Sequence, residues 1–76
     1  MLPSLDALAV LDAIDRRGSF AAAADELGRV PSAITYTVRR LEESLDVLLF
    51  DRRGHRARLT PAGRELVAAG RHLLEE

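Results

Sequence analysis

Seventy-six residues with a formal net charge of −1 and no cysteine leave room for one small domain with a modest core, and exclude a disulfide framework or a thiolate metal site. The charge is unevenly divided: residues 1–28 hold two Arg against five acids, residues 29–58 seven against four, and residues 59–76 two against three. The middle segment therefore carries a local balance of +3, which a polyanion feels despite the acidic total, and a small binding module fits better than an enzyme.

The first predicted helix covers 5–17. Ser4 is placed to cap it, Asp6 sits in its first turn, and Gly18 follows Arg16 and Arg17 as a stop. Leu5, Leu8, Leu11 and Ile14, with Val10 alongside, form an apolar stripe expected in the core, and the acids of this helix are expected to face water. Ser19 then caps a short Ala-rich helix in which Phe20, Ala23, Ala24 and Leu27 repeat at i, i+3, i+4, i+7, while Ala21 and Ala22 are expected to be exposed. Gly28 ends it where the chain reverses through Arg29 and Val30.

Pro31 opens a third helix, to Leu45, and its missing N–H costs nothing at that position. Val30 at the cap has no side-chain acceptor, which leaves the free N–H groups to a phosphate oxygen or the Ser32 hydroxyl. At about 100° per residue, Ile34, Val38, Leu41 and Leu45 gather on one face, and Ser32, Thr35, Tyr36, Arg39 and Arg40 on the other. The apolar face belongs on the core. The opposite face offers hydroxyls, a phenol and guanidinium groups, the side chains that reach phosphates and base edges in a major groove, and marks the helix as the recognition helix of a helix-turn-helix.

Asp46 ends this helix in a conformation better suited to Gly. Residues 47–51 are expected to extend back along the core with Val47, Leu49 and Phe50 buried and Leu48 half exposed. A glycine-marked turn, Arg52-Arg53-Gly54-His55-Arg56, leads into a short returning strand, Ala57-Arg58-Leu59, so the pair makes a wing with a basic tip. Thr60 and Pro61 start a last helix that runs toward Glu76. Leu66, Ala69 and Leu73 form one apolar line and Val67, Gly70 and Leu74 a second, more than a small core covers, so this helix is expected to pair with another copy through Leu66, Val67, Gly70, Leu73 and Leu74. With no C-cap signal at its end, it reads as the linker to a further part.

Taken in order, GSFAAAADEL, PSAITYTVRRLEESL, LLFDR and RLTPAG resemble the N-terminal domain of the LysR-type transcriptional regulators of bacteria. The resemblance covers nearly the whole chain and is carried by the ordered set, since GSF or TPAG alone is weak. It implies a mainly α winged helix-turn-helix of three helices, a two-stranded wing and a C-terminal linker helix. On that view residues 1–60 form the DNA-binding domain, with the helix-turn-helix at about 20–39 and the wing at about 50–59. Residues 61–76 form the linker and dimerisation helix, cut before an effector-binding domain. The family implies a homodimer through antiparallel packing of that helix, commonly a tetramer in the full-length regulator, bound to an inverted-repeat promoter site.

Residue by residue, the resemblance places Ser19 near a phosphate, Ser32 and Thr35 at the start of the recognition helix, and Arg52 at the wing's F-x-R arginine. The family usually has Ser-Gln-Pro-Ala where this chain has Val30-Pro31-Ser32-Ala33, so base reading falls to Ser32, Thr35, Tyr36 and Arg39. Ala21 and Ala22 replace residues that are often polar, and Asp46 replaces a usual Gly. Pro31 joins Ser19 and Arg40 on the DNA backbone, and Arg52, Arg53 and Arg56 form the wing contacts, while Arg40 has an alternative partner in Glu42 or Glu43.

His55 and His72 have neither a helical i, i+4 partner nor a nearby Cys, and Ser19, Ser32 and Ser44 lack a nucleophile elbow, so no metal, cofactor or catalysis is expected. No apolar run approaches the length of a membrane span, no signal peptide precedes the first helix, and the expected place is the cytoplasm, at the nucleoid. This fragment holds no small-molecule effector site. The competing reading is a helical protein-interaction module that uses the apolar face of helix 61–76, its arginines serving only solubility; salt-sensitive DNA binding separates the two.

Overall fold

The computed structural model describes residues 4–54 and 56–75; His55, in the turn expected from the sequence, and Glu76, toward which the last helix was expected to run, lie outside them. Helix α1 is Leu5–Arg17, begun by the Ser4 hydroxyl accepting the Ala7 N–H at 3.0 Å and ended at Gly18, whose N–H donates to the Ile14 carbonyl. Helix α2, Phe20–Leu27, starts the same way, with Ser19 Oγ accepting from Ala22 at 3.0 Å. Gly28 closes it at φ 66°, a left-handed turn that glycine takes without steric cost. After Arg29 and Val30, Pro31 opens α3, Pro31–Leu45, and no side chain caps its start.

Asp46 ends α3 at φ 53°, so a non-glycine residue takes the left-handed cap. The reversal is secured from within the helix: the Glu42 carbonyl accepts from Val47, and the Glu42 carboxylate accepts the Leu49 N–H at 2.8 Å. Strand β1, Phe50–Asp51, then pairs antiparallel with β2, Arg58–Leu59, Phe50 facing Leu59 and Asp51 facing Arg58. Helix α4, Pro61–Leu74, begins where Thr60 Oγ1 both accepts from Gly63 N and donates to the Leu48 carbonyl at 2.6 Å. One threonine therefore caps α4 and ties its start to the chain that leaves α3.

The core draws on every helix and on the base of the wing: Val10, Leu11, Ile14, Ala23, Ala24, Ile34, Val38, Leu49, Phe50 and Val67 are all buried. Ala7 and Ala13 are buried as well, because small residues on α1 let neighbouring helices approach. Three apolar residues expected inside are outside. Leu5, in the first turn of α1, is 61% exposed; Leu45, the last residue of α3, and Val47, just past the left-handed reversal, project beyond the packed layer. Leu48 is more exposed than expected, at 66%. Ala21 is exposed as expected, whereas Ala22 is half-buried.

The acids of α1 do not simply face water. Arg71 of α4 donates from Nε to Asp12 at 2.6 Å and from Nη2 to Asp15 at 2.8 Å, which staples α4 across α1. Asp12 also receives Arg16 Nε at 2.8 Å. Burial opposes ionisation of Asp12, but the hydrogen bonds from Arg16 and Arg71 outweigh it, and its pKa is lowered. The apolar lines of α4 part company for the same reason. Val67 and Gly70 are buried, Val67 in the core cluster and Gly70 against α1, where an added Cβ would meet Leu8 Cδ2 at 2.9 Å; Leu73 and Leu74 stay exposed and Leu66 is half-buried.

Candidate nucleic-acid interface

Burying Ile34, Val38 and Leu41 rolls the other face of α3 outward, where Pro31, Ser32, Tyr36, Arg39 and Arg40 are exposed and Thr35 is half-buried. Thr37, also half-buried, turns its hydroxyl back onto the Ala33 carbonyl at 3.0 Å and offers nothing outward. The Arg40 guanidinium lies 5.9 Å from the centre of the Tyr36 ring and donates to the phenol oxygen at 3.4 Å, rather than pairing with Glu42 or Glu43. Tyr36 and Arg40 therefore form one hydrogen-bonded pair a helical turn apart on the exposed face of α3. Ser19 spends its oxygen on the cap of α2, and its O–H remains available to a phosphate.

The structure sorts the arginines into two sets. Arg16 and Arg17 pair with Glu26, Arg29 with Asp6, Arg53 with Asp51, and Arg71 with Asp12 and Asp15. Arg39, Arg40, Arg52, Arg56, Arg58 and Arg64 form no salt bridge among the described residues, although Arg58 faces Asp51 across the strand pair and, after the Arg53 hydrogen bonds, its charge helps to lower the Asp51 pKa. Five of those six fall in segment 29–58, so the positive balance read from the sequence survives folding as unpaired guanidinium groups on α3 and the wing.

Within the wing the three expected arginines differ. Arg53 is held by Asp51, which accepts Nη2 at 2.7 Å and the Arg53 backbone N–H at 3.0 Å; the Arg53 side chain and then its backbone N–H draw the Asp51 carboxyl down to about 2. Arg52 stacks its guanidinium over the Phe20 ring, Cζ 4.1 Å from the centroid. Arg56 lies across Gly18, where an added Cβ would come within 2.7 Å of Cζ, and the next residue, Ala57, donates to the Gly18 carbonyl at 3.1 Å. The wing is thereby fastened to the junction of α1 and α2, beside the Ser19 cap.

Phe20, Asp6 and Asp51 bear on this surface and were not read as parts of it. Asp51 and Arg53, two residues apart, could have been paired on sight. Phe20 with Arg52 and Asp6 with Arg29 meet only once the chain has folded.

The family model for bacterial regulatory helix-turn-helix proteins of the lysR family matches residues 5–64. The chain belongs to this family. A relative, the HTH-type transcriptional regulator YhaJ of Escherichia coli O157:H7, is 69% identical over 72 residues, covering 95% of this chain and 24% of that protein. This LysR-family chain thus spans about a quarter of the length of the curated relatives it matches. Among solved structures, the BenM DNA-binding domain complexed with catB site 1 DNA superposes with a TM-score of 0.91 at 28% identity, over 95% of this chain and 80% of that one. The CbnR DNA-binding domain in its DNA complex gives 0.87 at 34% identity, over 95% and 83%. The fold of this LysR-family chain is accordingly the winged helix-turn-helix, four helices with a two-stranded antiparallel sheet.

Proposed function

We propose that this LysR-family chain reads double-stranded DNA: α3 enters a major groove, Ser32, Thr35, Tyr36 and Arg39 contact base edges, and Ser19, Pro31, Arg40 and the wing residues Arg52, Arg53 and Arg56 lie along the backbone or adjacent minor groove. The observation that carries the reading is the concentration of unpaired guanidinium groups on the outward face of α3 and on the wing, while the arginines elsewhere are largely neutralised by carboxylates. The BenM and CbnR domains, which share this fold, are bound to DNA in their structures. Residues 1–60 act as the DNA-binding unit and residues 61–76 as the linker helix of a longer regulator whose effector domain lies outside this sequence. We assign the chain no catalysis, and place it in the cytoplasm at the nucleoid. No helix among the described residues is long and apolar enough to cross a membrane.

Two copies join through α4 and present their α3 helices to an inverted repeat. Leu66 and Ala69 border a mainly apolar hollow with Leu45, Val47, Leu49 and Ala62, Glu65 being its one charged member, and Leu73 and Leu74 stand exposed further along, which supports a second α4 as the occupant. Of the five residues expected at this contact, Leu66, Leu73 and Leu74 are accessible to it, whereas Val67 and Gly70 are buried in the single copy. The test is selection of bound duplexes from a randomised pool followed by fluorescence anisotropy at two salt concentrations. An enriched inverted repeat and a steep salt slope support the proposal. Weak, salt-insensitive binding with no enriched motif overturns it.

A further inference from the structure

We propose that Phe20 is a positioning residue for the wing, its ring holding the Arg52 guanidinium ready for a backbone phosphate so that the start of α2 and the wing meet the duplex as one unit. The inference rests on the DNA-binding reading above.

Three contacts carry it. Arg52 Cζ sits 4.1 Å from the Phe20 ring centre. The edge of Phe20 in turn meets Phe50, with centroids 5.5 Å apart and planes at 72°. Phe50 is buried and paired through β1 to Leu59, so the stack is anchored in the core and not in a loop. Phe20 also directly follows Ser19, whose hydroxyl faces the same junction.

The chemistry differs from that of the neighbouring arginine. Arg53 is taken by the carboxylate of Asp51, which uses its N–H groups and cancels its charge. A ring carries no charge to neutralise a guanidinium. Contact with Phe20 leaves the charge of Arg52 uncancelled, and Arg52 has no hydrogen-bond acceptor among the described residues, so its N–H groups can be offered to a phosphate. It also orders a long side chain before DNA arrives, so that binding does not bear that loss of rotamer freedom. Pre-ordering of one such side chain corresponds to about a two- to tenfold gain in affinity.

The test uses the 76-residue chain and a duplex from the selected pool. Proton NMR of the free wild type is expected to show the Arg52 side-chain resonances shifted upfield by the Phe20 ring current. Phe20→Leu removes that shift and weakens binding about two- to tenfold. Phe20→Tyr keeps the ring and the affinity. In a chain already carrying Arg52→Gln, Phe20→Leu causes no further loss. Losses that simply add, an unchanged affinity for Phe20→Leu, or a wild type that binds DNA without the upfield shift each overturn the stack as a positioning device. A wild type with the shift but no affinity for any duplex overturns the DNA reading instead, and the phosphate role of Arg52 with it.

Discussion

Replacing Gly63 by Ala in α4 is expected to destabilise the protein, against the usual sign for a glycine inside a helix. Ala favours a helix over Gly by about 1 kcal/mol. Here the added Cβ would fall well inside contact distance of the Leu49 carbonyl oxygen, 3.1 Å from the Leu49 carbonyl carbon and 3.0 Å from Leu59 Cδ2. Carbon atoms pack at roughly 3.5 to 4.0 Å, so α4 must retreat by about 0.5 to 1 Å. The obstacle is backbone, and that same carbonyl accepts the Thr60 N–H at 3.0 Å, so the retreat stretches the bond that starts α4. Overpacking of this kind costs about 1 to 3 kcal/mol and the weakened hydrogen bond about 1 more. Set against the helix gain, the net loss is about 2 kcal/mol, or roughly 10 °C in melting temperature for a domain of this size. Circular dichroism melts at one protein concentration measure it, with Gly54→Ala as the control, since nothing lies within 4 Å of a Cβ there. If Gly63→Ala melts at or above wild type, the close approach of α4 to Leu49 is not a constraint and the reasoning fails.

The wing arginines separate in salt titrations: Arg56→Ala should lower the slope of log affinity against log salt by about one, and Arg53→Ala by less, because Asp51 already neutralises Arg53. Equal slopes for the two variants would contradict that division. The α1–α4 staple predicts a pH signature. The folded pKa of Asp12 lies below its ordinary 3.8, so its contribution is complete above about pH 4 and is lost as pH falls through the lower folded value. Asp12→Asn should therefore melt about 5 °C below wild type at neutral pH, for a partly exposed pair worth about 1 kcal/mol, with the gap closing toward pH 2; a gap independent of pH would rule the ion pairs out as its cause. Asp46→Gly relieves a left-handed non-glycine cap, and after the greater freedom of Gly in the unfolded chain is subtracted, it should raise the melting temperature by about 2 to 4 °C. A lower melting temperature would show that the Asp46 side chain stabilises the turn.

Helix boundaries were legible because the signals that set them are local. Ser4, Ser19 and Thr60 each accept a backbone N–H three residues ahead, and Gly18 and Gly28 close helices with backbone bonds reaching four or five residues at most. The two faces of α3 were legible for the same reason, since helical period alone divides Ile34, Val38 and Leu41 from Ser32, Tyr36 and Arg39. The RLTPAG segment could be recognised as a motif, yet what requires Gly63 in it is the carbonyl of Leu49, fourteen positions back in the chain.

Periodicity says which residues share a side, but not where a neighbouring helix begins and ends. Leu5 and Leu45 keep the apolar period of α1 and α3 and are exposed because they sit where the packed layer runs out, while Gly70 is covered because α4 passes against Leu8 of α1. Charge follows the same rule. The sequence by itself determined four helices, their caps, a basic wing and the outward face of α3, all properties of residues a few positions apart. Only the tertiary structure decided which arginines stay unpaired, because Asp6 reaches Arg29, Asp12 reaches Arg71 and Phe20 reaches Arg52 across distances that close only when the helices pack.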